Sequence, residues 1–319
     1  MRPRPTRPRR RAVSTALPPR RAAPHGPRYP SGRQAKWSFA SWHAVGTGPR
    51  RMPQKQKCGS RRTRRREGSR PVTQPTRLRG SATPADPAPH PLDNAVWAAL
   101  TGPHAALAER VGKAARYSAD VGVFAAVEDP ADPAAWADLH RLLGPDAAVA
   151  LPGVRSVPPG WRTSGDVPGV QLVDTALRAE PDPGAVRLGP ADVPEILDLV
   201  ARTRPGPFLP RTVLLGTYLG IRHRGRLIAL AGERLRLPGW TEISAVCTDP
   251  AHRGRGLATR LVRAVAAGIR ERGDTAFLHA AASNTGAVAL YESLGFTLRR
   301  HTDFRQVRTP GTAAAAGAL

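Results

Sequence analysis

Residues 241–296 constrain the fold more than any other part of the chain. They begin with an apolar strand pattern, pass through a loop broken by glycines, and then alternate a helical, a strand and a second helical pattern. In the loop, Gly254 and Gly256 stand just before a helix, and Ala258 follows in its first turn. Small residues at a helix N-terminus let backbone N–H groups approach a phosphate closely. The segment therefore predicts an α/β arrangement with an anion-binding loop.

The first ninety residues have a different composition from the rest. They carry 23 Lys and Arg residues against two acids, which gives +21 of the net charge of +25. An Arg- and Pro-rich segment without apolar periodicity is typical of disorder, and we predict a disordered tail at residues 1–88. Three interpretations of the tail stay open. It is an extension without a selected role, for example one included only because the start site is misassigned, or it contacts nucleic acid non-specifically. The third interpretation is a targeting segment, although its prolines disfavour the amphipathic helix that such a segment needs.

Cysteine use and hydropathy indicate the compartment. The two cysteines, Cys58 and Cys247, cannot build a disulfide framework. No run of eighteen apolar residues occurs anywhere in the sequence, so no membrane span and no membrane partner are expected. We therefore expect a cytoplasmic protein.

Residues 89–180 predict a smaller α/β module. Apolar residues recur at helical spacing from Leu92 to Leu100 and again at Leu107 and Val111, which predicts two short helices. A strand, a helix and another strand are then predicted at residues 121–127, 132–143 and 147–151, followed by a turn-rich loop at 153–169 with one more strand at 170–173. The module has no glycine loop and no metal-ligand spacing. A structural half-domain is favoured, with a substrate or dimer surface as the alternative.

The larger predicted domain covers residues 186–308 and follows a Pro- and Gly-rich linker at 180–184. It starts with a helix at 190–203 and a loop at 204–211 that cannot be regular structure. A hairpin at 218–233 and the strand at 241–248 come next. The helix after the glycine loop is predicted at 257–272, with its arginines facing water or phosphate and a buried stripe formed by Leu257, Leu261, Val262, Val265 and Ile269. A last strand is predicted at 297–307, and residues 309–319 are predicted to be a disordered end.

The order of these elements resembles the acyl-CoA-binding half of a GNAT-superfamily N-acetyltransferase. The most specific pieces are His252 through Ala258, which contains the pattern Arg-x-x-Gly-x-Ala, and Ala289 through Phe296, which ends in Leu-Tyr-Glu-Ser-Leu-Gly-Phe. The resemblance implies a mixed, mostly antiparallel sheet flanked by helices, preceded by the smaller module. That module resembles the same fold more faintly, as a degenerate copy without the glycine signature.

The resemblance also implies which residues bind acetyl-CoA. Backbone N–H groups of the loop and helix start would bind the pyrophosphate, and the backbone of the preceding strand would pair with the pantetheine arm. The residues so assigned are Val246, Cys247, Thr248, Arg253, Gly254, Arg255, Gly256, Leu257, Ala258, Asn284 and Tyr291. Cys247 is interpreted as a small buried residue rather than a nucleophile, since no His and Asp pattern surrounds it. Ser283 is predicted to cap the second helix. No metal is expected.

Tyr291 is the predicted acid. It lies seven residues after Asn284, hence on the same helical face, and by resemblance its hydroxyl protonates the departing thiolate of CoA; a Tyr packed in the core is the alternative. Glu233 and Glu242 are candidate bases for the amine, and both are equally interpretable as strand-edge charges. A fixed base is dispensable if a neutral amine is held beside the thioester.

The predicted function is transfer of an acyl group from acetyl-CoA to a primary amine in a ternary complex. The acceptor is a small molecule or a protein amine, with selectivity expected from the loop at 204–211 and the preceding module. The alternative is a non-catalytic acyl-CoA-binding protein, or a nucleic-acid-associated protein that uses the basic tail. Neither the acceptor nor the oligomeric state follows from the sequence.

Overall fold

The computed structural model describes residues 90–312, which contain two sheets and five α-helices. The predictions for residues 1–88 lie outside this part of the chain. The strands are β1 Ala108–Val111, β2 Ala114–Tyr117, β3 Ala125–Val127, β4 Ala148–Pro152, β5 Arg162–Asp174, β6 Val186–Leu188, β7 Tyr218–His223, β8 Arg226–Leu237, β9 Trp240–Thr248, β10 Thr275–Ala281 and β11 Phe296–Arg308. The helices are α1 Ala95–Thr101, α2 Pro133–Leu143, α3 Val193–Thr203, α4 Leu257–Glu271 and α5 Thr285–Leu294.

The larger sheet has eight strands in the order β4-β11-β5-β10-β9-β8-β7-β6. Its neighbours pair antiparallel except for β9 and β10, which run parallel. The smaller sheet has the order β1-β2-β3, and a single bridge from Phe124 to Ala150 joins it to β4. A mixed, mostly antiparallel sheet flanked by helices was predicted, and this fold class is confirmed.

Helices cover both faces of the large sheet because neighbouring strand residues point to opposite sides. Ala229 and Ala231 of β8 contribute to the core beneath α4, while Leu230 between them packs with α3. On α4 the buried residues recur at helical spacing, as predicted, at Leu257, Leu261, Val262, Val265 and Ile269. α1 lies on the face opposite α4 and packs against a separate core that includes Phe277 and Phe304. The sheet is therefore the middle layer of three.

β5 joins the two predicted domains into one sheet. It arises from residues 162–174, most of which were predicted as loop, and it lies between β11 and β10. Its residues Val170 and Leu172 are buried in the core beneath α4. Strands from both sides of the predicted boundary at 180–186 thus share one hydrogen-bonded sheet. The predicted linker is held against α4 as well, since Asp182 pairs with Arg260 at 2.6 Å.

Two local predictions differ from the structure. The second helix expected near Leu107 and Val111 is a hairpin instead, because Gly112 has φ +50° and begins a two-residue turn between Val111 and Ala114. A positive φ at this position suits the tight turns that connect twisted strands. The predicted disordered end at 309–319 starts too early: Thr309 is fully buried, and its hydroxyl donates to the carbonyl of Gly144 at 2.7 Å. Residues 313–319 lie outside the described residues.

Candidate active site

β9 and β10 separate in the middle of the large sheet. Their parallel pairing runs from Trp240↔Thr275 to Ile243↔Leu278, and beyond this point β10 pairs only with β5. The edge of β9 that faces β10 therefore has no partner strand in residues 90–312 from Ser244 onward. Such an edge can pair with an extended ligand as it would with another strand.

A β-bulge accompanies the separation of the two strands. Between the pairs Leu230↔Cys247 and Gly232↔Ser244, both Ala245 and Val246 of β9 stand opposite a single residue of β8. Ala245 has φ +55°, which is uncommon for a residue with a side chain. A bulge bends its strand and increases the local twist. The bend carries the end of β9 away from β10 and opens a cleft between them.

The glycine loop lies at the end of β9, directly before α4. None of the backbone N–H groups of residues 254–258 donates a hydrogen bond to another described residue. Asp249 holds the start of the loop, since it accepts from the N–H of Ala251 and pairs with Arg202 of α3. Because α4 is a helix of 15 residues, its positive end adds to the field of these N–H groups. The loop therefore has the polarity and the donors that a phosphate requires.

Gly254 and Gly256 both have left-handed backbone conformations, with φ of +76° and +70°. A Cβ added at either position would meet no atom within 4 Å, so packing does not explain why they are glycines. Their conformation does, since L-residues with a side chain rarely adopt it. The open side of the loop also leaves space for a ligand close to the backbone, and the site fits a pyrophosphate group.

α5 begins at the opposite side of the cleft. Its cap is Asn284, whose Oδ1 accepts from the N–H of Ala287 at 3.2 Å, and not Ser283, which was predicted to cap it and is exposed. Asn284 is closer to the helix by one residue and offers a carbonyl oxygen in the same geometry as a serine hydroxyl. Part of its side chain is therefore committed to the helix start.

Tyr291 lies on the inner face of α5 and packs edge-on against Phe296, with ring centroids 6.0 Å apart. The residue is only 8 % exposed, and its hydroxyl has no hydrogen-bond partner among residues 90–312. Burial, with a smaller contribution from Cys247, raises the pKa of Tyr291. The phenol thus keeps its proton at neutral pH and can donate it as a hydrogen bond into the cleft.

Cys247 is buried beside this tyrosine, as predicted. Burial raises the pKa of its thiol to about 11. A thiol that is protonated at neutral pH is a weak nucleophile. The cysteine therefore acts as a small apolar wall residue of the cleft.

The cleft has a volume of about 550 Å³ and brings together most residues predicted to bind acyl-CoA. Those that line it are Val246, Cys247, Thr248, Arg253, Gly254, Gly256, Leu257, Ala258, Asn284 and Tyr291. Arg255, Glu233 and Glu242 do not line it. Arg255 is exposed.

Glu242, one of the two candidate bases, is fully buried below the cleft. Its Oε2 accepts from Nε of Arg234 at 2.8 Å, and its Oε1 accepts from Nη2 at 2.5 Å. Oε1 also lies 2.7 Å from Nδ1 of His279. Burial alone would raise the pKa of Glu242, but the charge and hydrogen bonds of Arg234, with those of His279, lower it to about 2. At neutral pH such a carboxylate has little tendency to take a proton.

Glu233, the other candidate, is also buried and paired. Its Oε1 accepts from Arg272 at 2.8 Å, and its Oε2 accepts from the N–H of Thr217 at 3.2 Å. It therefore ties β8 to the end of α4 and to the segment before β7.

Arg234 and His279 were not among the predicted site residues, yet both line the cleft. The amide nitrogen of Gln171 lies 3.0 Å from Nε2 of His279, while its oxygen accepts from Arg299. Because an amide nitrogen only donates, Nε2 of His279 accepts, and the ring proton lies on Nδ1 toward Glu242. The sequence signal for this network was the cluster of charges at 233–236 in an otherwise apolar strand.

Within residues 90–312, no group of three or more His, Cys, Asp or Glu side chains is arranged to hold a metal ion. In the same part of the chain, no helix is both long enough and apolar enough to cross a bilayer.

Comparison with known proteins agrees with this geometry. The family model described as FR47-like protein matches residues 218–305. N-alpha-acetyltransferase RimI of Mycobacterium tuberculosis is 39 % identical over 82 residues, which are 25 % of this chain and 51 % of that protein. Mycothiol acetyltransferase of Thermobispora bispora is 49 % identical over 57 residues, 18 % of this chain and 19 % of that protein. The chain thus matches about half of the first curated relative and about a fifth of the second.

A solved structure extends the match over most of the described chain. A GNAT-family protein from Novosphingobium aromaticivorans DSM 12444 is 42 % identical and has a TM-score of 0.64. The match covers 70 % of this chain and 100 % of that one. Together with the divided strand pair and the glycine loop, this similarity shows that the chain belongs to the GNAT family of acetyltransferases.

Proposed function

We propose that this protein is an N-acetyltransferase that transfers the acetyl group of acetyl-CoA directly to a primary amine within a ternary complex. The observation that carries the proposal is the convergence of three features on one cleft. These are the unpaired edge of β9, the unbonded N–H groups of residues 254–258, and the hydroxyl of Tyr291. The names of both curated relatives support acetyl transfer, while they differ in the acceptor.

The loop and the strand would bind acetyl-CoA by complementary means. The N–H groups at the start of α4 neutralise the pyrophosphate, and Arg253, whose side chain is exposed, adds positive charge. The edge of β9 after Ile243 hydrogen-bonds the amide groups of the pantetheine arm. Both contacts use backbone that the fold holds fixed, so the thioester is directed to the point where β9 and β10 separate.

Transfer there joins the amine nitrogen to the thioester carbon as the carbon–sulfur bond breaks, and the sulfur leaves with the bonding electrons. Tyr291 donates a hydrogen bond to the sulfur as negative charge develops on it. Because its raised pKa lies above that of a thiol, its main contribution is this hydrogen bond, and the excess proton of the new amide nitrogen leaves through water.

The cleft supplies no carboxylate base within the described residues. Neither Glu233 nor Glu242 lines it, and Nε2 of His279 is already engaged with Gln171. The amine therefore reacts in its neutral form, and the protein contributes position rather than proton removal.

The test measures thiol release from acetyl-CoA with a panel of amines, and acetyl-CoA binding by calorimetry. We expect Tyr291→Phe to lower kcat about 100-fold, the lower part of the range for a positioned acid or donor, with little change in acetyl-CoA affinity. Tyr218→Phe is the matched control, because Tyr218 is buried but does not line the cleft.

Two results would contradict the proposal. Acetyl-CoA binding without turnover of any amine would identify a non-catalytic CoA-binding protein. Equal kcat for Tyr291→Phe and the wild type would leave transfer intact and remove Tyr291 from it.

A further inference from the structure

Every Asp, Glu, Lys or Arg among the described residues that line the cleft is an arginine. Among the described residues that line it there are three arginines, Arg204, Arg234 and Arg253, and no Asp or Glu. Arg253 belongs to the phosphate end. The other two line the same cleft, and Arg234 lies beside the vertex where β9 and β10 separate, the end at which the acceptor must meet the thioester. A cationic acceptor such as a polyamine would find no carboxylate among the described residues that line the cleft.

Arg234 has one edge of its guanidinium group available. Its Nε and Nη2 donate to Glu242, and the group lies over the ring of Phe124, 4.9 Å from the ring centroid. Its Nη1 donates to no residue in the part of the chain that the structure describes, and it is not among the buried atoms that lack a partner. The side chain is 12 % exposed, and it lines both the cleft and a much smaller pocket beside Phe124.

The pairing of the strands places this group at the vertex. Glu242 stands opposite Phe277, one pair before Ile243↔Leu278, where the ladder of β9 and β10 ends. Since alternate residues of β9 face opposite sides and Ile243 points into the core beneath α4, Glu242 and its partner Arg234 lie on the other face. Acetyl-CoA would thus approach from the α4 side, and Arg234 faces the acceptor side.

Arg234 and Arg204 would contribute differently to binding an acceptor. Glu242 offsets the charge of Arg234, so Nη1 offers a directed hydrogen bond more than a net charge. Arg204 is exposed at the end of α3, in a left-handed conformation with φ +51°, and has no ion-pair partner among residues 90–312. It supplies the uncompensated positive charge. A carboxylate oxygen satisfies both needs, because it accepts hydrogen bonds and carries the opposite charge.

We propose that the acceptor is an amino acid or a similar small amine that also bears a carboxylate, and that Arg234 and Arg204 bind this carboxylate beside the thioester. The inference rests on the proposed acetyl transfer and names its substrate class. It makes both arginines determinants of specificity.

The test compares each amino acid with its own amide, in a series with one to four carbons between the amine and the carboxyl carbon. Rates are expressed per neutral amine, because amides and acids differ in amine pKa. For the preferred spacing, we expect kcat/KM for the acid to exceed that for the amide about tenfold or more, as for a site built to bond one polar group.

Variants then assign the preference to the two side chains. Arg204→Gln removes an exposed charge, and we expect it to lower the acid-to-amide ratio toward one with unchanged KM for acetyl-CoA. Arg234→Lys keeps a positive charge beside Glu242, but an ammonium group cannot bond Glu242 and a ligand at once as the planar guanidinium can. We therefore expect this variant to lower the acid-to-amide ratio as well. Thermal unfolding checks that Arg234→Lys folds. Arg187→Gln, an exposed arginine on the edge strand β6, is the matched control.

The outcomes separate the two proposals. Amides or carboxylate-free amines that react as fast as the acids would overturn the carboxylate site and leave acetyl transfer standing. An acid preference that both variants retain in full would also overturn it. Absence of thiol release with every amine would overturn the proposed function and this inference with it.

Discussion

Glu242 shows how the surroundings of one carboxylate decide what it can do. Its position on β9 made it a candidate base, and its pairing with Arg234 and His279 leaves it ionised with a pKa of about 2. The sequence indicated a charged strand but not the partner, because Arg234 lies on a different strand and His279 is 37 residues away. Only the register of three strands brings these side chains together.

The same pairing predicts how stability depends on pH. The folded-state pKa of Glu242 lies below its ordinary value of 4.5, so its contribution is complete above pH 4.5 and is lost as the pH falls toward 2. We expect Glu242→Gln to lower the free energy of unfolding at pH 7 by about 3–5 kcal/mol, because Arg234 is then buried without its counter-charge. The difference from the wild type should shrink steadily between pH 4.5 and 2.

Urea unfolding at a series of pH values measures this difference. Glu271→Gln is the control, since Glu271 is exposed and has no ion pair in the described chain; its change should stay within about 0.5 kcal/mol. If the loss of unfolding free energy in Glu242→Gln stayed constant down to pH 2, the ionised pair of Glu242 and Arg234 would not be the source of that loss.

At the scale of elements, helices were easier to predict than strands. α4 could be placed within one residue at its C-terminal end, because its apolar stripe, its glycine start and its basic outer face all point to the same helix. β5 was missed because Gly165, Pro168 and Gly169 interrupt its pattern. Pro168 is tolerated there since β5 pairs with β10 only from Gly169 onward, so no ladder on that side needs the missing N–H.

The start of α4 carries a prediction of its own. Gly256 is its cap residue in a left-handed conformation, and alanine there is disfavoured by about 1–2 kcal/mol. The unliganded loop of Gly256→Ala relaxes away from this geometry, and binding must restore it. We expect acetyl-CoA to bind about tenfold more weakly, as measured by calorimetry.

Gly268→Ala is the control from the same helix. Gly268 has an ordinary helical conformation, and the nearest atom to an added Cβ is the end of the Arg272 side chain at 3.8 Å. Alanine there should raise helix stability by about 0.5–1 kcal/mol and leave acetyl-CoA affinity unchanged. Equal affinities for both variants would mean that the loop geometry does not govern binding.

At the scale of the whole molecule, the order of strands in space departs from their order in the chain. β11, the last strand, lies between β4 and β5, and β5 in turn lies beside β10. The sequence predicted the GNAT-like part from local patterns and a resemblance. It could not show that residues 162–174 complete the same sheet, because strand neighbours depend on contacts over more than a hundred residues, such as Phe296↔Asp174. The strands β4 and β5 of the smaller predicted module therefore belong to the same sheet as the strands of the larger one, and they share its core.

This continuity predicts that residues 186–319 do not fold alone. Without β4 and β5, β11 loses both of its neighbours and β10 loses one, and the core beneath α4 loses Val170, Leu172 and Leu177. We expect this fragment to show no cooperative thermal transition and no acetyl-CoA binding. A fragment of residues 90–319 retains every described strand, and it should unfold in a single transition with coincident circular dichroism and calorimetric midpoints. Cooperative unfolding of residues 186–319, together with acetyl-CoA binding, would instead establish an independent C-terminal domain. In that case, β5 would not be required for its folding.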